Sequence, residues 1–351
     1  MLNASMFRLK VKTFLVALSF SVFLLGVLAG RSVGRVRAGG APGCRGGAPT
    51  WSPKSRHIEA RSHISLSSKL QAVAINDELI LVISNKNLIG NDNMLDSWVR
   101  VVQAASIKNY MVAALDDETA LYSNAHGYNN FRFKAEQLAD KTTSNHGASS
   151  QKFNIIAHII NLGYSVLLSD IDVVWLRDPF HGYIFRDVDV ESMSDGYDFD
   201  TALGHITGQD TPSDGWSRFS QSWTIYSLNS GLFYLRASEK THHLMNIIHT
   251  HLASNKDWDQ SIFNKFVQQP LSNHVNTKQL AVTLRIMDLY QFSNSKTLFS
   301  LTRHNPALLA RKPVCVHVNY HSTKRERFKA IYEYYNGLDN KTFLSMPNAD
   351  L

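Results

Sequence analysis

Gly163-Tyr164-Ser165-Val166-Leu167-Leu168-Ser169-Asp170-Ile171-Asp172-Val173-Val174-Trp175-Leu176-Arg177-Asp178-Pro179-Phe180 is the stretch around which the chain is arranged. Its apolar, β-branched run is too short for a long helix and opens on glycine, which reads as a buried parallel strand. Two carboxylates stand two positions apart at its far end. Strand period places Asp170 and Asp172 on one side and Ile171 on the other. Two hard oxygen ligands at the carboxyl end of a strand make a seat for Mg²⁺ or Mn²⁺, and such a cation can hold a diphosphate.

Segments on either side supply an α/β frame. Glu78-Leu79-Ile80-Leu81-Val82-Ile83-Ser84 reads as a first buried strand, with Asn85 at its end facing a ligand crevice. Met94 to Ile107 carries Leu95, Trp98, Val101, Val102 and Ala105 at helical spacing. Asn109 to Leu115 is a second strand, ending in Asp116-Asp117, so strand, helix and strand imply a right-handed parallel crossover. Residues 118 to 150 read as polar loop over the site, and Ser149 to Leu162 as a helix whose Lys152 suits either a solvated face or a phosphate or sugar contact.

Bulk composition narrows the class. The chain has 351 residues, 44% of them hydrophobic, enough for a sizeable core. Its net charge of +7 is uneven: residues 1 to 75 hold 11 of the 36 basic residues against one acidic residue, Glu59. The 25 basic and 28 acidic residues that remain leave the folded part slightly negative, which argues against a nucleic-acid partner. Thr13 to Gly30 is an uncharged apolar stretch flanked by basic residues, expected to be an uncleaved transmembrane signal anchor behind a cytosolic tail of residues 1–12. Cleavage after Val27-Leu28-Ala29 is the alternative. Residues 31–75, rich in Gly, Ala, Arg, Ser and Pro, read as a flexible stem, and 76–351 as the lumenal domain. Asn340-Lys341-Thr342 is a glycosylation sequon in that part. Cys44 and Cys315 leave a disulfide between them open, and no zinc spacing exists.

Other segments carry candidate chemistry. Asp-x-Asp recurs at Asp187-Asp189, Asp198-Asp200 and Asp257-Asp259, in charged or turn-rich settings that suit surface or capping roles. Ser227 to Leu235 places Asn229-Ser230-Gly231 before an apolar strand: Gly231 allows close backbone approach, and Asn229 offers a donor and an acceptor to sugar hydroxyls. Thr241 to Leu252 is an amphipathic helix. Trp258-Asp259-Gln260 opens the next one, where Asp259 either caps the helix or aims its carboxylate at a reacting carbon. Val314 to His321 reads as a strand with His317, Asn319 and His321 on one face, followed by Lys324 and Arg327; imidazole ligates transition metals and Lys offers a point charge for phosphate.

Leu162 to Phe180, Asn229 to Phe266 and Met287 to Gly337 together resemble the plant-type nucleotide-diphospho-sugar transferases of glycosyltransferase family 77. Within that family the sequence is similar to the reduced-residual-arabinose group of Golgi arabinosyltransferases, which extend arabinose chains on hydroxyproline of extensin-type glycoproteins. The resemblance implies a GT-A type fold, a single Rossmann-like α/β domain with a mostly parallel sheet, and retention of anomeric configuration. It implies Mn²⁺ or Mg²⁺ on Asp170 and Asp172, with His317 or His321 as a further ligand, and a donor such as UDP-L-arabinofuranose. Asn85, Lys152, Asp170, Asn319 and Lys324 would hold that donor, and Asn229, Asp259 and Gln260 would line the sugar pocket. It implies a hydroxyproline-rich glycoprotein acceptor and a single-pass type II place in the Golgi membrane. Ser322-Thr323 and Phe328 depart from the Pro-Asp and Met of the arabinosyltransferases, which leaves the acceptor open. A UDP-xylose or UDP-galactose transferase, or a non-catalytic Golgi partner, would share these features.

Overall fold

Leu79 and Leu81 belong to one apolar cluster and Ile80 and Val82 to another, and all four are buried. A strand covered on both faces belongs in the middle of a parallel sheet flanked by helices. In the computed structural model, residues 65–90, 93–134, 145–207, 222–224, 226–268 and 281–348 are described. The predicted anchor, Cys44 and most of the predicted stem lie outside them. Among the described residues no helix is long and apolar enough to cross a membrane.

Helix α1 (Leu66–Val73) precedes β1 (Glu78–Ser84), α2 (Met94–Ala104) leads to β2 (Tyr110–Ala114), and α3 (Asp117–Ala125) to β3 (Asn130–Arg132). Helix α4 (Asn145–Asn161) delivers the chain into β4 (Ser165–Ser169), followed by β5 (Val173–Trp175) and β6 (Val190–Ser194). Then come α5 (Phe199–Leu203), the paired β7 (His205–Thr207) and β8 (Ser222–Thr224), and β9 (Leu228–Leu235). Helices α6 (Glu239–Ser254) and α7 (Asp259–Gln268) precede β10 (Leu284–Ile286) and β11 (Phe292–Asn294). The chain closes with α8 (Pro306–Leu309), β12 (Cys315–His317), α9 (Lys324–Tyr335) and α10 (Lys341–Ser345).

Seven strands form the main sheet in the order β10-β6-β9-β4-β1-β2-β3. Only β9 runs antiparallel to its neighbours β4 and β6; the other pairs are parallel. The mostly parallel α/β architecture expected from the sequence is therefore present. Phe153, Ile156, Leu244, Ile248 and Phe263 of α4, α6 and α7 cover one face, and Leu95, Trp98, Val102 and Ile331 of α2 and α9 cover the other. A smaller sheet, β11-β12-β5, joins the second layer.

Several expectations need correction. The folded part begins before residue 76, because Leu70 and Val73 of α1 enter the core and Ser65 caps the helix. Residues 118 to 134 are not loop: Asp116 caps α3 and β3 pairs with β2. Asp170-Ile171-Asp172 is a turn between β4 and β5 rather than the end of one strand. Asn229-Ser230-Gly231 lies inside β9, and β12 stops at His317. Cys315 is a buried free thiol. Asp198 caps α5 and Asp187 pairs with Arg285, as their settings suggested.

Ser169 holds the two apolar layers to the acidic turn. Its hydroxyl accepts the indole N–H of Trp98 at 3.0 Å and of Trp175 at 3.2 Å, and donates to the Asp170 carbonyl at 3.0 Å. Ser169→Ala would orphan two buried N–H groups, so we expect a loss of about 2–4 kcal/mol in chemical denaturation.

Asp189 ties β6 to the chain before β10, accepting from Thr283 N at 2.9 Å and Arg236 Nη2 at 2.9 Å. Burial disfavours its charged form, yet Thr283 and Arg236 outweigh that and hold the carboxyl below its ordinary range. A lowered folded value stabilises the protein fully above the unfolded carboxyl near about 3.9, and that stabilisation fades as pH falls through the folded value. Asp189→Asn should therefore flatten the decline of Tm below about pH 4.

Candidate active site

The carboxyl ends of parallel strands leave a crevice. A cavity of about 470 Å³ opens there, lined by Asn85 and Leu88 after β1, Leu115 after β2, Asp170 after β4, Asn229 to Gly231 of β9 and Asp195 after β6. Because β9 is reversed, its beginning meets the ends of its parallel neighbours: Ser169 pairs with Leu232 and Ser194 with Leu228. Lys152, Trp258, Asp259, Gln260, His317, Asn319, Tyr320 and Lys324 also line it, above a floor of Ile83, Ser84 and Leu168.

Asp170, Asp172 and His317 form the acidic centre. One ligand atom from each lies within 4.8 Å of the others. The turn is pinned from both sides, by Asp170 N donating to Gly231 O at 2.7 Å and Val318 N donating to Asp172 O at 2.9 Å. His317 Nε2 lies 3.0 Å from Asp172 Oδ1 and 3.8 Å from Asp170 Oδ2. Lys324, the first residue of α9, donates to Asp172 Oδ2 at 2.6 Å.

Charge compensation is uneven. Burial works against ionised Asp172, but His317 and Lys324 together hold its carboxyl well below the usual range. Burial likewise disfavours the imidazolium of His317, and the two aspartates overcome it to raise the imidazole. Asp170 opens into the cavity while protein walls its other sides; partial removal from water pushes it upward against the pull of Lys152 and His317.

The donor set fits a hard divalent cation that accepts one imidazole, such as Mn²⁺ or Mg²⁺. Gly231 is the cradle. A Cβ there would stand 2.3 Å from Asp170 Oδ2 and 2.7 Å from His317 Cε1, so space rather than backbone angle demands glycine. His321 is not part of this group. The chain turns at Tyr320, whose φ is +65°, and the His321 ring packs edge-on to Phe299 at 5.9 Å.

A second polar cluster adjoins the first. Asp195, which carried no signal in the sequence, accepts Asn229 Nδ2 at 2.9 Å, Gln260 Nε2 at 2.9 Å and Asn319 Nδ2 at 3.2 Å. The Tyr320 hydroxyl donates to the same carboxylate. Asn229 Oδ1 accepts Gly231 N at 2.8 Å, locking the amide. Lys152, on α4, pairs with Asp259 and donates to Ser230 O at 3.0 Å. Asn85 lines the far end, its Oδ1 accepting Asn87 N at 3.0 Å. The predicted Asn85, Lys152, Asn229, Asp259, Gln260, Asn319 and Lys324 thus share one cavity.

The sequence signature of nucleotide-diphospho-sugar transferases matches residues 105–329, more than half of the chain, from before β2 into the first half of α9. The chain belongs to the nucleotide-diphospho-sugar transferase family. Arabinosyltransferase RRA2 of Arabidopsis thaliana is 40% identical over 273 residues, covering 77% of this chain and 62% of the relative. Arabinosyltransferase RRA1 is 36% identical, covering 77% and 66% respectively. The chain therefore spans about two thirds or less of the length of these relatives. A solved galactosyltransferase, LgtC, in complex with donor and acceptor sugar analogues, has 16% identity and a TM-score of 0.43, covering 75% of this chain and 100% of that one. Phe328, where the sequence departs from the arabinosyltransferase pattern, is buried in the core away from the cavity lining.

Gly231→Ala should lower the thermal midpoint, since a Cβ at this buried position must displace the Asp170 and His317 side chains. We expect it to weaken Mn²⁺ binding at least about tenfold in titration calorimetry, by driving Asp170 and His317 apart.

Proposed function

We propose that the protein is a metal-dependent retaining glycosyltransferase that moves L-arabinofuranose from a UDP-sugar to a hydroxyproline-linked arabinoside of an extensin-type cell-wall glycoprotein. The observation that carries this is the convergence of Asp170, Asp172, His317 and Lys324 at the carboxyl edge of the sheet, beside a separate cluster suited to a sugar. The arabinosyltransferase relatives supply the choice of sugar.

The cavity has a direction. From Leu115 after β2 through Asn85, Asp170 and Gly231 to Asp195 after β6 it crosses five adjacent strands, about 19 Å at about 4.8 Å per strand. Leu88, Leu115 and Asn85 form the end for the nucleoside, the acidic centre lies at the diphosphate, and the Asp195 cluster meets the sugar. When bound, the divalent cation supplies Lewis-acid stabilisation of the departing diphosphate. Asp170, Asp172 and His317 would hold that cation, and Lys324 adds a positive charge beside it.

In the transfer, the bond from the anomeric carbon to the β-phosphate oxygen breaks and the acceptor hydroxyl oxygen bonds to that carbon from the same face. The hydroxyl proton passes to the departing phosphate. Asn229, Gln260 and Asp195 fix the sugar's hydroxyls. The Asp259 carboxylate flanks the reacting carbon, its charge balanced by Lys152. The cavity would face the lumen of the Golgi, with residues 13–30 as a type II anchor.

A xylosyl donor is the second reading. An Arabidopsis thaliana UDP-D-xylose:L-fucose alpha-1,3-D-xylosyltransferase is 27% identical over 254 residues, covering 67% of this chain and 64% of its own length.

Purified protein assayed with UDP-arabinofuranose, UDP-xylose and UDP-galactose on arabinosylated hydroxyproline peptides should transfer arabinose, require Mn²⁺ or Mg²⁺, and stop on chelation. Asp172→Ala should lower kcat by at least about 100-fold. Full activity of that variant would remove the metal assignment, and preference for UDP-xylose would replace the donor.

A further inference from the structure

Two aromatic side chains stand at the sugar end of the cavity. Trp258 lines it while remaining 66% exposed, and Tyr320 lines it while 36% exposed. Both are attached to the sugar cluster: Trp258 immediately precedes Asp259 and Gln260, and the Tyr320 hydroxyl donates to Asp195. An exposed indole on a surface needs no explanation by itself. Here it borders the part of the pocket lined by the Asn229, Gln260, Asn319 and Asp195 side chains, and among the described residues no ring or cation covers it. By contrast the exposed Phe185 ring carries the Arg285 guanidinium at 4.7 Å.

Tyr320 is held at some cost. Its φ of +65° is a conformation that a non-glycine residue adopts rarely. The phenol's bond to Asp195 and the Lys296 ammonium 4.2 Å above its ring keep it there. Strain retained at a pocket mouth points to a placed side chain.

Position decides which part of a substrate these rings meet. Asp195 follows β6, and Asn85 follows β1, three strands away in the order β6-β9-β4-β1, about 14 Å. The rings are thus remote from the nucleoside end. A sugar presents an apolar C–H face and a hydroxyl rim, and an open indole beside fixed amides and carboxylates matches both.

We propose that Trp258 is the platform of an acceptor subsite, stacking on the C–H face of the terminal sugar of the glycan that receives the transferred residue, with Tyr320 as its side wall. This rests on the transferase reading above and adds to it the place and chemistry of acceptor recognition. The acceptor's hydroxyl would then reach the anomeric carbon beside Asp259 from the open mouth of the cavity, without passing the nucleotide.

Two measurements test it. With an arabinosylated hydroxyproline peptide as probe, Trp258→Ala should raise the acceptor KM at least about tenfold, against a donor KM that moves less than about twofold, and Trp258→Phe should restore most of the loss. Saturation-transfer NMR on the same peptide, which needs no turnover, should show strong signals from its sugar C–H protons with the wild-type protein and weak ones with Trp258→Ala. An acceptor KM that stays put, or a donor KM that rises in parallel, overturns the platform. Absence of any transfer by the wild-type protein would count against the transferase reading, and the NMR comparison would still decide the binding site.

Discussion

Two carboxylates two positions apart cannot be brought into a partly dehydrated pocket without opposite charge close by. Much of this structure supplies that charge to Asp170 and Asp172. His317 arrives from the small sheet and Lys324 from the first turn of α9, while Lys152 of α4, paired with Asp259, adds a longer-range pull on Asp170. Each cation rides on a different element, so the acidic turn draws the layers of the fold to one point. The same requirement explains Gly231, whose missing side chain is the room in which Asp170 and His317 meet. It also explains the care spent on the turn's backbone, held by Ser169, Gly231 and Val318.

Reversal of β9 is the second organising feature. A parallel strand in that place would carry Asn229, Ser230 and Gly231 to the opposite edge of the sheet. Running antiparallel, β9 sets them beside the ends of β4 and β6, between the acidic turn and Asp195. Side chains of three kinds then follow one another along the sheet edge: apolar Leu88 and Leu115, the charged turn, and the amides around Asp195. Asp195 joins amides from three separate segments and so ties that end of the cavity together.

Much of this was legible in order along the chain. Continuous apolar runs marked β1, β2 and β4 because strands covered on both faces need no polar alternation. Helical spacing marked α2, α4 and α6 for the converse reason. Helix α3 escaped notice: it buries little more than Thr119 and Ser123, so no apolar stripe announces it, and its start is set by the Asp116 cap. His321 was misplaced because strand alternation was carried past His317, where the positive φ of Tyr320 turns the backbone. Asp195 gave no sign because a lone aspartate after a polar strand has no local pattern; its importance lies wholly in the four donors that converge on it.

By itself the sequence determined the α/β class, the pair of carboxylates after an apolar strand, and the presence of residue types suited to a cation and a sugar, since these follow from local periodicity and the chemistry of single side chains. Tertiary structure alone decided which histidine joins the carboxylates, that Lys324 meets Asp172 across 152 positions, and that Lys152 balances Asp259. Those are pairings between distant segments. They depend on strand order and on the direction of β9, which no local pattern encodes.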